Sequence, residues 1–355
     1  MTPAALPSTG RRPRLLLYAM YDPAGLDSAP KVRISMMADA LEDLVELERI
    51  QGTRMTRARA ALRWLRRPGI GSVDAVYVES STSSATPVDL AFLLWARLRG
   101  RPVGVYFRDA YQLFRRLYPV TRWRHRLADL AWRVSMPVLR RIATVRFAPT
   151  LGLAEVLGLD DAVMLPPGTD PALPDTGVGS EPVVAYVGAT NVADGYDRLF
   201  AAVCSLREGG LPETRLLVVA PSMPSPPAAF VDHVRSARPH LADVLRPARV
   251  CVIPRPVNAY TDVALPVKLM DYLAMGKPVV ATDARETRRV VEASGAGSIV
   301  GDTPEAIALG LRRILEDAAL AASMSARARS FATRPENTWP ARARTVVASL
   351  TGVAP

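Results

Sequence analysis

The sequence predicts an α/β protein built from two doubly wound parallel sheets, and three observations support this prediction. The chain has 355 residues, more than one ordinary core holds. Its composition, 49% apolar and 22% charged, is that of a globular protein. Short apolar runs alternate with helical patterns twice along the chain, as expected where helices connect the strands of a parallel sheet.

The first alternation predicts an N-terminal domain over residues 1–165. Its strands are expected in RLLLYAM, VELERI, SVDAVYVES, RPVGVYF, TVRFAPT and AVMLPP. Each run is short, apolar and bounded by turn residues, which is typical of a buried strand. Residues 166–182, PPGTDPALPDTGVGSEP, are rich in Pro, Gly and polar residues and are therefore predicted to be a linker.

The second alternation predicts another domain over residues 183–335. Its strands are expected in VVAYVGA, TRLLVVAP, RVCVIP, KPVVATD and GSIV. Helices are expected near 196–208, 226–245, 265–275, 284–293 and 304–316, with a helical tail from 318 to about 351. Because the segment around 226–245 reads as helix almost throughout, one strand of this sheet is expected to be missing.

The positive charge of the chain is concentrated in its first half. Residues 1–150 hold 25 basic and 12 acidic side chains, whereas the remaining residues hold 20 and 22. This asymmetry predicts an anionic surface or ligand for the first half alone. The two cysteines, Cys204 and Cys251, show no zinc-site spacing and are expected to be free thiols. No apolar run approaches the ~18 residues of a membrane-spanning helix.

The predicted helix near 265–275 carries a narrow charged stripe. Pro266 suits its first turn and Gly276 its end. Lys268 and Asp271 are its charged residues, and their i,i+3 spacing places them on one face. Near the positive end of the helix dipole, this pair would suit a diphosphate and a sugar hydroxyl. An ion pair on a surface helix explains the spacing equally well.

Several motifs in the second half resemble those of the glycosyltransferases with the GT-B fold, in the retaining group called family 4 or group 1. PVKLMDYLAMGKPVVAT resembles P-x-K-(apolar)-x-E-Y-L-A-x-G-K-P-V-V-x-T. RVCVIPRPVN and VVAYVGATN…GYDRLFAAV are similar to the strands and loops at the nucleotide-sugar site of that family, and LPPGTDP to its linker. The resemblance implies two Rossmann-like domains facing a cleft. It also implies a closing helix over residues 336–355, TWPARARTVVASL within it, that crosses back to the N-terminal domain.

The resemblance also implies a donor site on the second domain. Asp271 would hold the ribose hydroxyls, and Lys268 and the loop from Arg255 to Thr261 would lie near the diphosphate and base. Gly188 would let the backbone approach the donor closely. Lys277 is expected to be a structural turn residue. The implied donor-binding residues are Gly188, Asn191, Arg255, Asn258, Thr261, Pro266, Lys268 and Asp271.

Two departures from the family pattern bear on activity. Val263 stands where many members have a glutamate that contacts the sugar. The glycine loop, GATNVADGYD, lacks the Arg or Lys that usually neutralises the leaving diphosphate. Lys268, Arg255 or the helix dipole would then have to stabilise that charge, or catalysis is weak.

The acceptor side is assigned to the first domain. The loop after its first strand, with Gly25, Ser28 and Arg33, would face the cleft. Arg108 and Asp109 end a later strand and are the predicted catalytic pair: Asp109 would orient an acceptor hydroxyl and Arg108 would bind an anionic group. A strand-end ion pair is an equally good interpretation of these two residues.

Two arginine-rich stretches predict a further partner. Residues 53–67 hold six arginines and no acid, and residues 97–146 hold 13 arginines with interleaved aromatic residues. A basic amphipathic helix with Trp at its edge suits an anionic membrane surface. Ordinary surface helices and nucleic-acid binding are the alternatives, but no nucleic-acid motif is present, so no nucleic-acid partner is expected.

Taken together, the sequence predicts a cytoplasmic glycosyltransferase of polysaccharide biosynthesis, peripheral at the inner face of the plasma membrane. Its donor would be a nucleotide-diphosphate sugar of UDP or GDP type and its acceptor a lipid-linked glycan or other cell-envelope glycoconjugate, with retention. No cofactor and no metal are expected, since no Asp-x-Asp motif is present. The alternatives are a non-catalytic GT-B partner protein and a sugar-nucleotide epimerase.

Overall fold

The chain forms two compact α/β units. The computed structural model describes residues 11–22, 28–66, 68–82, 84–119, 122–223, 228–236 and 238–352. The first unit comprises Met1–Pro166 together with Trp339–Pro355, and the second comprises Pro167–Thr338. The chain therefore leaves the first unit, builds the second, and returns.

The first unit contains a six-stranded parallel sheet in the order β2-β1-β3-β4-β5-β6. The strands are β1 (Arg14–Ala19), β2 (Glu46–Ile50), β3 (Ala75–Glu79), β4 (Val103–Tyr106), β5 (Val145–Ala148) and β6 (Val163–Met164). Each lies within a run predicted from the sequence. The central strands are buried on both faces, which explains why their sequences are continuous apolar runs rather than alternating ones.

Helices cover both faces of this sheet. They are α1 (Ala29–Glu42), α2 (Arg54–Arg66), α3 (Pro87–Leu98), α4 (Trp123–Ile142) and α5 (Leu151–Leu157), and the C-terminal helix α12 (Trp339–Thr351). Helix α12 packs against α1, whereas α3 lies between α2 and α4. Thr86 begins α3 with a capping box, in which its side chain and that of Asp89 satisfy each other's backbone N–H groups.

The second unit contains another six-stranded parallel sheet, in the order β12-β11-β10-β7-β8-β9. Its strands are β7 (Val183–Val187), β8 (Arg215–Val219), β9 (Val231–Val234), β10 (Val250–Ile253), β11 (Val279–Thr282) and β12 (Gly297–Val300). Its helices are α6 (Tyr196–Glu208), α7 (Leu241–Leu245), α8 (Val267–Ala274), α9 (Arg285–Ser294), α10 (Pro304–Glu316) and α11 (Ala318–Thr333). The predicted fold class, with two parallel doubly wound sheets, is confirmed.

The predicted helix over residues 226–245 is confirmed only for α7 (Leu241–Leu245), and the prediction of a missing strand was wrong. The sheet does not lack a strand, because β9 lies inside this segment and pairs in parallel with β8. Only Val231 of this strand is buried, and an exposed ion pair joins Arg215 to Asp232 across the edge of the sheet. Such a short edge strand has little apolar pattern of its own. Pairing with the neighbouring strand, rather than local propensity, therefore decides that the segment forms a strand.

The predicted helical tail from 318 to about 351 is two helices. Helix α11 ends at Thr333, and the residue before Pro335, Arg334, is extended with φ −62° and ψ 129°. A proline disfavours helical geometry in the residue before it and lacks the N–H that a helix needs. The break allows α12 to pack in the first unit rather than continue α11.

Candidate functional site

Helix α8 holds the C-terminal end of β7 through two side chains one turn apart. The Nζ atom of Lys268 donates to the carbonyl oxygen of Val187 at 2.8 Å. The hydroxyl oxygen of Tyr272 accepts from the N–H of the same residue, Val187, at 2.9 Å. The last peptide of β7 is therefore fixed relative to α8, and so is the glycine turn that follows it.

The glycine turn approaches the lysine closely. Gly188 has φ +149°, and a Cβ there would lie 3.0 Å from the Lys268 Nζ atom and 2.9 Å from the Tyr186 hydroxyl. A side chain at this position would crowd both groups. Glycine therefore keeps the backbone open beside an ammonium group, an arrangement that suits an anionic ligand.

The charge on Lys268 is finely balanced. Burial lowers the pKa of Lys268 to about 7, although the nearby Asp194 carboxylate opposes the shift and Arg255 adds to it. The ammonium also lies 4.4 Å from the centre of the Tyr186 ring, a favourable cation–π distance. An anion bound next to Lys268 would stabilise its charged form.

Asp271 is paired with an arginine that the sequence reasoning missed. Arg238 donates to Asp271 Oδ1 from Nη2 at 2.9 Å and from Nε at 3.2 Å. Its Nη1 atom donates to Asp170 at 3.3 Å. Burial raises the pKa of Asp271, and Arg238 opposes this shift. Both of these hydrogen bonds from Arg238 to Asp271 end on Oδ1.

The loop after β10 is shaped by two of the predicted donor residues. Asn258 Oδ1 accepts from the N–H groups of Tyr260 and Thr261, each at 3.0 Å. Thr261 donates to the Pro256 carbonyl at 2.8 Å and accepts from the Asn258 N–H at 2.9 Å. These side chains hold the loop together from within. Contact between these two side chains and a bound nucleotide sugar stays a prediction.

Arg255, in the same loop, is the second cation near the glycine turn. Its Nε atom lies 3.8 Å from Asp194 Oδ1, too far for a hydrogen bond. Asp194 belongs to the glycine loop, where the glycosyltransferases that the sequence resembles usually have an Arg or Lys. The cations beside the glycine turn therefore come from α8 and the β10 loop, and the glycine loop contributes a carboxylate.

The remaining predicted donor residues, Asn191 and Pro266, lie where a turn and a helix begin. Asn191 is exposed and caps the short turn Val192–Asp194, since its Oδ1 accepts from the Asp194 N–H at 2.8 Å. Pro266 precedes α8, and its carbonyl accepts from the Leu269 N–H at 3.2 Å.

In the first unit, a buried glutamate at the end of β3 pairs with Arg33, predicted on the acceptor side, and with Arg108, predicted to be catalytic. Arg33 donates from Nε to Glu79 Oε1, and Arg108 donates from Nη2 to Glu79 Oε2, both at 3.1 Å. Arg33 is itself buried and stacks 3.5 Å above the Tyr106 ring. It therefore stabilises the core instead of lining an open loop. Arg108 forms a strand-end ion pair, but its partner is Glu79 rather than Asp109.

Asp109 is the polar centre of a second cluster in this unit. Its Oδ2 atom accepts from the Thr82 hydroxyl at 3.0 Å, and the Tyr21 hydroxyl donates to Thr82 at 2.6 Å. Gln112 donates to the Thr82 carbonyl at 2.8 Å. Asp109 Oδ1 is buried without a hydrogen-bond partner in the described part of the chain. Burial raises the pKa of Asp109 to about 6, against the influence of Arg108 and Thr82.

The structure shows little of the other two predicted acceptor-side residues, Ser28 and Gly25. Ser28 is exposed and precedes α1, and its side chain makes no capping hydrogen bond. Gly25 lies outside the described residues. The missed residues Tyr21 and Thr82 follow β1 and β3, which neighbour each other in the sheet. The rule that ligands bind at the carboxyl ends of parallel strands could have found them.

The overall structure is similar to solved structures of sugar-transferring enzymes. A sucrose-phosphate synthase from Thermosynechococcus elongatus has a TM-score of 0.69 and 16% identity over 94% of this chain and 97% of that chain. WaaG, a glycosyltransferase involved in lipopolysaccharide biosynthesis, has a TM-score of 0.64 and 16% identity over 96% of this chain and 100% of that chain. A UDP-forming α,α-trehalose-phosphate synthase from Burkholderia xenovorans has a TM-score of 0.65 and 13% identity over 96% of this chain and 100% of that chain. At these identities the likeness shows the fold, which is GT-B.

A model of a protein family matches part of the sequence and indicates the class of enzyme. Residues 181–317 match the model described as glycosyl transferases group 1, which covers β7 to α10 and every predicted donor residue. No curated protein matches the chain. The second unit thus contains a glycosyl transferase group 1 domain. The resemblance found in the sequence and the enzyme class it implies, glycosyltransferase, are confirmed.

Proposed function

We propose that this protein transfers a sugar from a nucleotide-diphosphate sugar, of UDP or GDP type, to a hydroxyl group of a lipid-linked glycan or another cell-envelope glycoconjugate. Transfer retains the anomeric configuration and needs no metal ion. The enzyme works in the cytoplasm, peripheral to the inner face of the plasma membrane, in polysaccharide biosynthesis. Two of the similar proteins support this proposal, since one is a UDP-forming synthase and another is a glycosyltransferase involved in lipopolysaccharide biosynthesis.

One observation supports this proposal most strongly: α8 presents Lys268 and Asp271 on one face beside the open backbone of Gly188. Asp271 accepts the ribose hydroxyls through Oδ2 while Arg238 neutralises Oδ1. Lys268 and Arg255 lie on the diphosphate side, where two cations balance the charge that develops as the diphosphate leaves. Protein cations then perform the electrostatic role that a metal ion fills in other enzymes.

The chemical step forms a bond between the acceptor oxygen and the anomeric carbon while the bond from that carbon to the diphosphate oxygen breaks. With retention, the acceptor attacks from the face that the diphosphate leaves, so the departing phosphate oxygen is the nearest base for the hydroxyl proton. Asp109 orients the acceptor by accepting a hydrogen bond from one of its other hydroxyl groups, because the attacking hydroxyl gives its single hydrogen to the phosphate oxygen. Because the pKa of Asp109 is about 6, the carboxylate needed for this role forms near neutral pH.

Nucleotide binding tests the donor site. UDP, GDP, ADP and dTDP are compared by thermal shift, and the nucleotide that stabilises the protein is titrated calorimetrically. The Asp271→Asn variant should bind it about 1–3 kcal/mol more weakly, because a charge-assisted hydrogen bond to ribose is lost. It should also lose the discrimination of the wild type against the 2′-deoxynucleotide.

Asp232→Asn is the matched control, since it too breaks an Arg–Asp pair in the second unit, at an exposed sheet edge. Its nucleotide affinity should equal that of the wild type. A folded Asp271→Asn protein with wild-type affinity would contradict the donor site. Release of nucleotide from the sugar nucleotide, with the product anomer read by NMR, tests transfer and retention.

A non-catalytic partner protein remains the second candidate, and two observations favour it. Val263, at the position of the sugar-contacting glutamate, is a buried apolar residue. The glycine loop carries Asp194 and no base. Such a protein would bind the nucleotide sugar without turning it over. Formation of an isomerised sugar nucleotide would instead indicate the third candidate, an epimerase.

A further inference from the structure

The outer face of one helix layer is unusually apolar. Among the residues that the structure describes, eighteen large apolar side chains are exposed, and ten of these belong to α2, α3 and α4. They are Met55, Leu62 and Leu65 on α2, Leu94 and Leu98 on α3, and Trp123, Leu127, Leu130, Val134 and Val138 on α4. The three helices lie side by side in the first unit, with α3 in contact with both neighbours. We call their solvent side the α2–α4 face.

Helix α4 presents apolar residues on two opposite sides. Its buried side contains Trp132, Met136 and Leu139. Its five exposed apolar residues recur at spacings of four, three, four and four, so at 100° per residue they form a stripe about 80° wide on the opposite side. An ordinary surface helix is polar on that side. The stripe therefore needs an apolar environment that the described protein does not provide.

The charge on this face is of one sign. The acidic residues of the three helices are Asp89 and Asp129, and both are buried. Arg57 binds Asp89 through two hydrogen bonds of 2.8 and 2.9 Å, and Arg115 and Arg133 pair with Asp129. The exposed arginines on and directly beside the helices include Arg54, Arg59, Arg63, Arg97, Arg99, Arg122, Arg124, Arg126 and Arg141. Within the described residues of the three helices, the face therefore combines exposed apolar side chains with cations and has no exposed carboxylate.

We propose that the α2–α4 face docks on an anionic lipid bilayer, with α4 lying in the plane of the interface. The stripe of α4, led by Trp123, enters the boundary between headgroups and acyl chains, and the flanking guanidinium groups bind lipid phosphates. The inference deepens the membrane association proposed above by assigning it to a surface. Lipid binding is measurable without sugar transfer, so either proposal can fail while the other stands.

The composition of the face favours a bilayer over other partners. A second copy of the chain would bring two arginine-rich faces together, and like charges repel. A nucleic acid would match the charge but not the Leu and Val side chains, since bases stack on aromatic and guanidinium planes. An anionic bilayer matches both the charge and the apolar stripe. Among the described residues, no helix is both long and apolar enough to cross a membrane.

Vesicle binding of the full-length chain tests the proposal. The protein is sedimented with vesicles of phosphatidylcholine alone or with about 30% phosphatidylglycerol. It should bind the anionic vesicles at least about tenfold more tightly, and about 0.5 M salt should weaken that binding. The triple variant Leu127→Gln, Leu130→Gln, Val134→Gln should lose binding by at least about tenfold. Arg122→Gln, Arg124→Gln, Arg126→Gln together should reduce the preference for anionic vesicles.

Leu309→Gln provides the matched apolar control, since Leu309 is 70% exposed on α10 of the second unit. It should bind vesicles as the wild type does. The two triple variants should keep the nucleotide-induced thermal shift, because their substitutions lie on the surface of the first unit. Unchanged vesicle binding by the triple apolar variant would overturn the proposal. A wild-type dimer that the triple variant abolishes, or nucleic-acid binding that depends on the stripe, would overturn it as well.

Discussion

Two lysines nine residues apart show how the surroundings of a side chain decide its role. Lys277 is fully buried, and its Nζ atom donates to three carbonyl oxygens, those of Gly177, Ala248 and Arg246, at 2.8, 3.0 and 3.2 Å. All three N–H groups of its ammonium are thus used, and its role is structural, as expected. Lys268 donates to one carbonyl oxygen in the described structure, that of Val187. It therefore keeps hydrogen-bonding capacity for a ligand.

The pKa of Lys268 predicts that diphosphate binding takes up a proton. The pKa in the folded protein is about 7, against an ordinary value of 10.5, so at about pH 8 the free protein holds this lysine mostly neutral. A bound diphosphate restores the charge. Nucleotide affinity should therefore fall as pH rises above about 7. Calorimetry in two buffers of different ionisation enthalpy should show uptake of up to about one proton near pH 8.

The Lys268→Met variant is the control for this linkage. It removes the titrating group, and the proton uptake should disappear while the protein stays folded. If the variant takes up as many protons as the wild type, another group is responsible and Lys268 does not meet the diphosphate.

At the scale of the elements, one glycine allows the two loops around the candidate donor site to lie close together. Gly195 begins α6 with φ +79°, and a Cβ there would lie 1.8 Å from the carbonyl oxygen of Pro254, which follows β10. The glycine loop after β7 can approach the β10 loop only because this Cβ is absent. The positions of Asp194 and Arg255 depend on that close contact.

Gly195→Ala should destabilise the second unit by more than the strain of a positive φ alone. That strain is about 1 kcal/mol, and the backbone contact with Pro254 should add about 1–3 kcal/mol because neither backbone is free to move. Gly210→Ala is matched, since Gly210 has φ +104° but nothing within 4 Å of its Cβ position. Chemical denaturation compares the two variants, and equal destabilisation would show that the close contact has no energetic weight.

The element predictions located strands with apolar runs, such as β1 and β11, and missed β9. Strands such as β1 and β11 are continuous apolar segments and were located directly. Strand β9, Val-Asp-His-Val, was read as helix because its polar residues carry no alternating pattern that a single sequence would distinguish. Arg238, which follows β9, was missed for the same reason, since the whole segment had been assigned to one helix.

At the scale of the whole molecule, the last helix completes the first unit. Trp339 is buried, its ring 5.6 Å from the Arg33 guanidinium, and Val346, Val347 and Leu350 are buried as well. Leu350 packs so closely on β4 that a Cβ on Gly104 would lie 2.8 Å from it. The first unit therefore needs residues that the chain supplies only after the second unit is made.

A chain that ends at residue 338 should contain a folded second unit and an unstable first unit. Loss of four buried apolar side chains removes several kcal/mol, at about 1.5–3 kcal/mol each, which is comparable to the stability of a whole domain. Hydrogen exchange should show lost protection in β1, β3 and β4 and retained protection in β7, β10 and β11. A chain that ends at residue 352 is the control, and unchanged protection in β3 and β4 of the shorter chain would contradict the prediction.

The sequence by itself determined the class of fold, nearly all of the strands and the segment that carries the donor motif, because periodicity and motif spacing are local properties. Only the tertiary structure decided which groups meet. Arg238 and Asp271 are 33 residues apart, and Arg33 and Glu79 are 46 apart. Which side of α4 faces solvent was also undecided, since both of its sides are apolar. The reason is physical: burial and pairing are set by neighbours distant in the chain, and a local pattern does not contain them.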